Sequence, residues 1–441
     1  MESLISILGA GESGVGAALL AQQKGFEVWV SDKGTIKGNY KEELEKAGLP
    51  YEEGGHNRQK IFESLEVIKS PGIPDTVPLI RDLKAAGIPV ISEIEFAGRY
   101  TEATIIGITG SNGKTTTTRL LHHLLKTAAL DSVMAGNVGN SFARELTRRD
   151  PAVFVLELSS FQLDGIVDFR PQFALLLNIS PDHLDRYDYK MENYVAAKFR
   201  IGMNQLPEDV LLLNADNSYI REELPRRHLL QQIIPVHNDG WKDRSFLVNG
   251  QEVYLKNPAL KGKHNFFNAK IAAETAQRLG VSAVDIQKGL DSFVNAPHRL
   301  EWVGEVNGIG FINDSKGTNI DAVYYALEAM DRPIVWVAGG LDKGNDYSII
   351  EPLIREKARA LVCLGADNSK LLGAFSHLLP DHVECRTAED AVREAYKRAK
   401  PGDVVLLSPA CSSFDLFENF AARGDQFREA ALELIEREKK S

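Results

Sequence analysis

Apolar residues along this chain fall into short, nearly unbroken runs separated by longer stretches with helical spacing. SLISIL, EVWVSD, LEVIKS, ATIIGIT, PAVFVLELSS (151–160), PQFALLLNIS (171–180) and DVLLLNAD (209–216) are bounded by Gly, Pro, Asn or Asp and read as buried strands. VGAALLAQQKG, TTTTRLLHHLLK, HNFFNAKIAAETAQRLG (264–280) and SAVDIQKGLDSF carry the helical period between or after them. Strands apolar on both faces, alternating with helices, predict mostly parallel sheets covered on both sides. PVIS closes a first α/β stretch near residue 93, and Asn295-Ala296-Pro297 marks a second boundary. Beyond it PIVWVAGG (333–340), ARALVCLG (358–365) and GDVVLLSPA (402–410) resume the rhythm.

The chain has 441 residues, room for about three domains at roughly 150 residues each. A formal charge of −10 argues against nucleic acid and against anionic membrane surfaces as partners, since both require clustered Lys and Arg. Cys363, Cys385 and Cys411 are far apart and form no CxxC pair, which suits buried thiols in a reducing compartment. Glu2 stands where a targeting leader would be basic, and no run reaches the roughly 18 apolar residues of a membrane span. A cytoplasmic protein, and a monomer, is expected.

Two loops carry chemistry. Gly9-Ala10-Gly11-Glu12-Ser13-Gly14 lies between a strand and a helix, and Asp32 ends the next strand, a Rossmann-type nucleotide fingerprint. It would accept a nicotinamide or flavin dinucleotide, but other nucleotides use the same loop. GITGSNGKTTTT (107–118) ends like a phosphate loop, with Lys114 for the outer phosphates and Thr115 for Mg²⁺. The strict pattern wants a glycine at position 108, which is Ile; Gly107 or Gly110 is expected to make the bend. Glu157 ends a strand where a metal ligand could sit, or where an edge acid could be solvated or paired. His183 follows another strand, between Asp182 and Asp185. By composition alone Lys198, in YVAAKFRI, is a solvated helical lysine.

The motifs TGSNGKTT, ELSSFQL, NISPDHLDRY, YVAAKFRI, HNFFNA, HR, NDSKGTN, GGLDKG and SPACSSFDLF, in this order from Gly9 to about Phe427, resemble the Mur ligases. NDSKGTN and SSFQL point to the branch that adds D-glutamate; Gly317 stands where many members have alanine. The resemblance implies a Rossmann-like UDP-sugar domain (1–93), a central phosphate-loop ATPase-like domain with a mostly parallel sheet (94–296), and a Rossmann-like amino-acid domain (297–441). It implies ATP-dependent amide formation between UDP-N-acetylmuramoyl-L-alanine and D-glutamate, through an acyl phosphate, in peptidoglycan precursor synthesis.

The resemblance also distributes the residues. Gly110, Ser111, Asn112, Gly113, Lys114, Thr115 and Thr116 would hold the phosphates of ATP, with Asn265 and Asn268 at adenine and Arg299 and Asp314 on the nucleotide. Thr115 and Glu157 match ligands of one Mg²⁺. His183 and Lys198 match those of a second, with Lys198 converted by CO₂ to a carbamate because an ammonium cannot bind a metal. Lys316 would neutralise the transferring phosphate. Ser13, Asp32, Ser70, Gly72, Asn137 and Gln162 fall to the UDP-sugar, and Thr318, Lys343, Ser413 and Phe420 to D-glutamate. A folylpolyglutamate-synthase-like ligase is the nearest alternative, and the SPG segment at 70–72 speaks against it. An NAD-dependent oxidoreductase would leave the phosphate loop unexplained.

Overall fold

The computed structural model describes residues 3–440, so Glu2 lies outside the described residues. By internal contacts the chain forms two compact units. One comprises the chain to Asp239 with Phe246–Val253 and Lys270–Gly289; the other comprises Gly240–Ser245, Tyr254–Ala269 and the chain from Leu290.

The first unit contains two parallel sheets. β1 (Leu4–Leu8), β2 (Glu27–Asp32), β3 (Tyr51–Glu53), β4 (Glu66–Lys69) and β5 (Val90–Ser92) run in the order β3-β2-β1-β4-β5. The order reverses between β1 and β4, which opens a crevice at their C-terminal ends, where α/β folds bind ligands. β6 (Thr104–Thr109), β7 (Ser132–Gly136), β8 (Val153–Glu157), β9 (Phe173–Leu176), β10 (Val210–Asn214) and β11 (Gln232–Val236) run in the order β11-β10-β9-β6-β8-β7. Ile108 of β6 lies in register with Glu157 of β8, and Thr109 with Leu176 of β9. The phosphate loop, Glu157 and the segment leading to His183 therefore leave one edge of one sheet.

The two sheets share a hydrophobic core that includes Ile7, Val15, Phe96, Phe142, Phe154 and Tyr194. Polar groups fasten the seam. The Arg144 guanidinium, almost fully buried, donates to Glu12 at 2.7 Å and also pairs with Glu43. The Glu95 carboxylate accepts backbone N–H bonds from Val167, Asp168 and Phe169 at 2.8, 3.0 and 2.8 Å. Buried Glu93 accepts from Ala143 N at 2.5 Å, and burial pushes its carboxyl up to about 7.

β12 (Ser245–Val248) and β13 (Gln251–Tyr254) pair as a small ribbon. The second unit holds β14 (Glu301–Val306), β15 (Ile309–Asn313), β16 (Ile334–Ala338), β17 (Ala358–Leu364), β18 (His382–Cys385) and β19 (Val404–Leu407), ordered β14-β15-β19-β16-β17-β18. β14 and β15 are antiparallel; the other pairings are parallel. The fold is mixed α/β with mostly parallel sheets, and all three cysteines are buried and free. Among the described residues no helix is long and apolar enough to cross a membrane.

Several predicted strands end early, and two of these endings shape the site. PAVFVLELSS stops at Glu157 because Ser159 caps the helix Ser160–Asp164 in a reciprocal capping box with Gln162. PQFALLLNIS stops at Leu176, and Asn178 instead bonds the phosphate loop.

Candidate active site

The bend of the phosphate loop lies elsewhere than expected. Gly107 is inside β6, where a Cβ would press on Leu158 at 3.1 Å, and at Gly110 a Cβ would press on Leu177 at 3.0 Å; neither has the left-handed conformation of a bend. Both are packing glycines. The left-handed residue is Gly113, φ +84°, the N-cap of the helix Lys114–Thr127. Asn178 shapes the loop like a neighbouring strand: its amide accepts from Asn112 N and donates to Asn112 O, each at 2.9 Å. Ser111 exchanges 2.9 Å bonds with the Ser180 backbone. The Lys114 ammonium donates to Gly110 O at 2.7 Å and Ser111 O at 2.9 Å, within reach of an anion seated on the helix N-terminus. Thr115 is half-buried and Thr116 buried on that same first turn.

A cavity of about 280 Å³ opens beside this loop, lined by Lys114, Asn137, Phe161, Asp182, His183 and Lys198 among others, with Pro71 and Gly72 from the first sheet. Glu157 is 2% exposed. Its Oε1 accepts from Asn137 Nδ2 at 2.7 Å, while Oε2 has no hydrogen-bond partner among the described residues. A buried carboxylate oxygen left this way is costly unless a cation completes it, so Glu157 fits a metal ligand. His183 is half-exposed with φ +52°, its ring edge against Phe161 and its Nε2 3.7 Å from Asp182.

Lys198 overturns its reading as a solvated lysine. It is 1% exposed on the helix Met191–Phe199, and its amine donates to Gly110 O at 2.8 Å. Burial, reinforced by the charge of Lys114, holds it well below the ordinary lysine range, although Asp182, Asp164 and Glu157 pull the other way. Its amine therefore gives up a proton more readily than a lysine in water. Among the described residues no cluster of three or more His, Cys, Asp or Glu could hold a metal ion.

The nucleotide loop of the first sheet is clamped from within. Gly9 has φ +91°, and a Cβ there would lie 2.6 Å from Ser70 Oγ, so the ends of β1 and β4 touch. Asp32 accepts from Ala10 N at 2.7 Å and Gly34 N at 2.8 Å, one bond per oxygen, leaving acceptor capacity on both. Ser13 lies on the first turn of the following helix. Gln162 spends its amide oxygen on Ser159 in the capping box. A residue that pattern reading missed ties this loop to the cavity: Arg186 lies over the Phe161 ring at 4.4 Å and donates to Gly72 O and Pro71 O at 3.3 and 3.4 Å.

In the second unit, Asn265 and Asn268 are buried on the helix Lys263–Arg278 and bond each other at 3.3 Å. Asp314, buried at the end of β15, accepts from Ser408 Oγ at 2.8 Å and Leu300 N at 3.2 Å, and burial pushes it up to about 7. Gly317 matters more than its size suggests. A Cβ there would stand 2.5 Å from Asp314 Oδ2, so alanine requires that carboxylate to move. Lys316 rests its ammonium 3.9 Å from the Phe420 ring centroid. Thr318 and Arg299 are half-buried, Ser413 is buried and Lys343 is exposed. Arg423, also missed, is 1% exposed and among the described residues pairs with no carboxylate. It donates to Ser315 O, Ser315 Oγ and Cys411 O at 2.9, 3.0 and 3.2 Å, and burial lowers it to about 10. That one side chain joins the NDSKGTN and SPACSS segments.

With this geometry, sequence comparison is unambiguous about class. Residues 4–77 match the MurD N-terminal domain, 108–276 the Mur ligase middle domain, and 298–411 the Mur ligase glutamate ligase domain. The chain belongs to the Mur ligase family. It is 47% identical to the UDP-N-acetylmuramoylalanine–D-glutamate ligase of Christiangramia forsetii, covering 98% of this chain and 100% of that protein. It is 48% identical to the enzyme of the same name from Bacteroides fragilis, covering 98% and 99%. Among solved structures, UDP-N-acetylmuramate–alanine ligase of Thermotoga maritima shares the fold at 18% identity and TM-score 0.61, covering 98% and 99% of the two chains.

Proposed function

We propose that this protein is an ATP-dependent ligase that joins D-glutamate to the alanyl carboxylate of UDP-N-acetylmuramoyl-L-alanine, yielding ADP and phosphate in peptidoglycan precursor synthesis. The observation that carries this reading is identity of 47% and 48% to enzymes of that name over 98% of the chain. The phosphate loop and the desolvated amine of Lys198 beside it support the chemistry.

A carboxylate and an ammonium at neutral pH form only a salt, so the carboxylate must be activated. A carboxylate oxygen attacks the γ-phosphorus, the bond to ADP breaks, and an acyl phosphate forms. The deprotonated amine of D-glutamate then attacks the acyl carbon, and collapse of the tetrahedral adduct expels phosphate and leaves the amide. Lys114 and the N–H groups of residues 110–116 would orient the phosphates. Lys316 would meet the charge that develops on transfer. Thr115 and Glu157 would hold one Mg²⁺, and His183 and the carbamate of Lys198 a second. Bound there, Mg²⁺ would offset repulsion between the γ-phosphate and the incoming carboxylate. The carbamate forms when the neutral amine adds to CO₂ and loses one proton.

In this reading residues 1–93 take the UDP-sugar through Ser13, Asp32, Ser70 and Gly72, with Asn137 and Gln162 toward the sugar. Residues 94–296 take ATP, with Asn265 and Asn268 at adenine. Residues 297–441 supply Arg299 and Asp314 to the nucleotide and Thr318, Lys343, Ser413 and Phe420 to D-glutamate. The protein acts as a cytoplasmic monomer without nucleic-acid or membrane partners. Phosphate release should require ATP, Mg²⁺, UDP-N-acetylmuramoyl-L-alanine and D-glutamate together. Equal rates with L-glutamate or meso-diaminopimelate would refute the assignment.

A further inference from the structure

The segment Gly339-Gly340-Leu341-Asp342-Lys343-Gly344 places a carboxylate directly before the lysine read above as a D-glutamate contact. Adjacent opposite charges on an exposed turn invite a pair that would hide the ammonium from an anionic substrate. The structure shows the carboxylate turned to other donors, one of them a cation. Asp342 Oδ1 accepts from Lys370 Nζ at 2.6 Å, Gly344 N at 2.7 Å and Asn345 N at 3.2 Å, and Oδ2 accepts from Tyr347 OH at 2.8 Å. Three donors crowd Oδ1 and one holds Oδ2, and the Lys370 ammonium offsets the charge. Lys343 makes no hydrogen bond or ion pair among the described residues and is exposed. The same turn is held to the segment bearing Ser413: Leu341 and Ser412 exchange backbone bonds at 2.9 and 3.2 Å, and Asn345 donates to Ala410 O at 3.1 Å.

We propose that Lys370 is a positioning residue for amino-acid binding: by neutralising Asp342 it keeps the Lys343 ammonium available to a substrate carboxylate. This rests on the reading of Lys343 as a D-glutamate contact. The role is electrostatic and acts through Lys343, so it should appear in the apparent affinity for the amino acid and not in phosphoryl transfer.

The test is steady-state kinetics at saturating ATP and UDP-N-acetylmuramoyl-L-alanine, with the KM for D-glutamate resolved from kcat. Lys370→Met should raise that KM roughly five-fold, the effect of one uncompensated charge at a solvated site, with kcat and the KM for ATP nearly unchanged. Lys370→Arg should restore it. The double variant Asp342→Asn with Lys370→Met should recover most of the lost affinity, because no carboxylate remains to compete for Lys343. An unchanged KM in Lys370→Met overturns the proposal, as does a double variant worse than the single, the result expected if Lys370 merely anchors the turn. Lys343→Met separates the two readings. If it leaves the KM for D-glutamate unchanged, the assignment of Lys343 falls and the proposal with it. If it raises the KM while Lys370→Met does not, only the proposal falls.

Discussion

Lys198 and Lys343 are the same side chain put to opposite uses. Lys198 is buried beside the cavity of the first unit, its amine on the Gly110 carbonyl and the Thr109 hydroxyl. Lys343 stands on an exposed turn of the second unit, next to a carboxylate that four other donors occupy. Burial lowers the proton affinity of the first, while the second keeps its side chain in water. The difference teaches where each kind of chemistry can be built. A lysine that must react needs a dry site on rigid strands and helices, and a lysine that must attract an anion needs only to be kept from a better partner.

The sharpest break of this contrast is Lys198→Ala. Activity should fall on the order of 10³-fold, several kcal/mol of lost charge stabilisation, and should recover in part when formate or acetate is added. Full activity without rescue would mean that the buried amine has no part in the reaction. Arg423→Met contrasts burial and exposure within the second unit. It leaves the carbonyls of Ser315 and Cys411 without a donor and should lower unfolding free energy by about 3 kcal/mol. Lys343→Met should leave denaturant melts almost unmoved.

Glu93→Gln probes a buried acid at the seam of the first unit. The folded-state value of about 7 lies above the ordinary 4.5, so the folded chain holds this proton more tightly than the unfolded chain. Its stabilising contribution is complete below about pH 4.5 and is lost as pH rises through 7. The variant should therefore lack that decline and exceed the native protein by about 3 kcal/mol near pH 8 relative to pH 4.5. Identical pH profiles would show that Glu93 stays charged. Arg186→Ala is the smallest of these changes. Losing its bonds to Gly72 and Pro71 should raise the KM for the UDP-sugar about five-fold, with the KM for D-glutamate unaffected.

Much of this was legible in the residues, because strands apolar on both faces and glycine-punctuated loops are local signals. β2 and β10 fall inside the runs EVWVSD and DVLLLNAD, and Asp32 ends its strand as the fingerprint requires. What escaped is non-local. Arg144 meets Glu12 across 132 residues and Arg423 meets Ser315 across 108, separations that no periodicity encodes. Lys198 shows the limit most plainly. A helical lysine followed by Phe and Arg carries no mark of burial; its burial follows from a non-local meeting of its amine with Thr109 and Gly110, 89 and 88 residues away. The bend at Gly113 was misplaced for a related reason: Gly107 and Gly110 are required by neighbours such as Leu158 and Leu177, not by backbone conformation.

The most direct measurement is carbon-13 NMR of the protein equilibrated with labelled bicarbonate, for the native chain and Lys198→Ala. The native protein should show one carbamate carbonyl resonance, absent from the variant and lost when CO₂ is removed. No such resonance in the native protein, or the same resonance in Lys198→Ala, would contradict the account of Lys198 as a buried amine turned into a metal-binding oxygen.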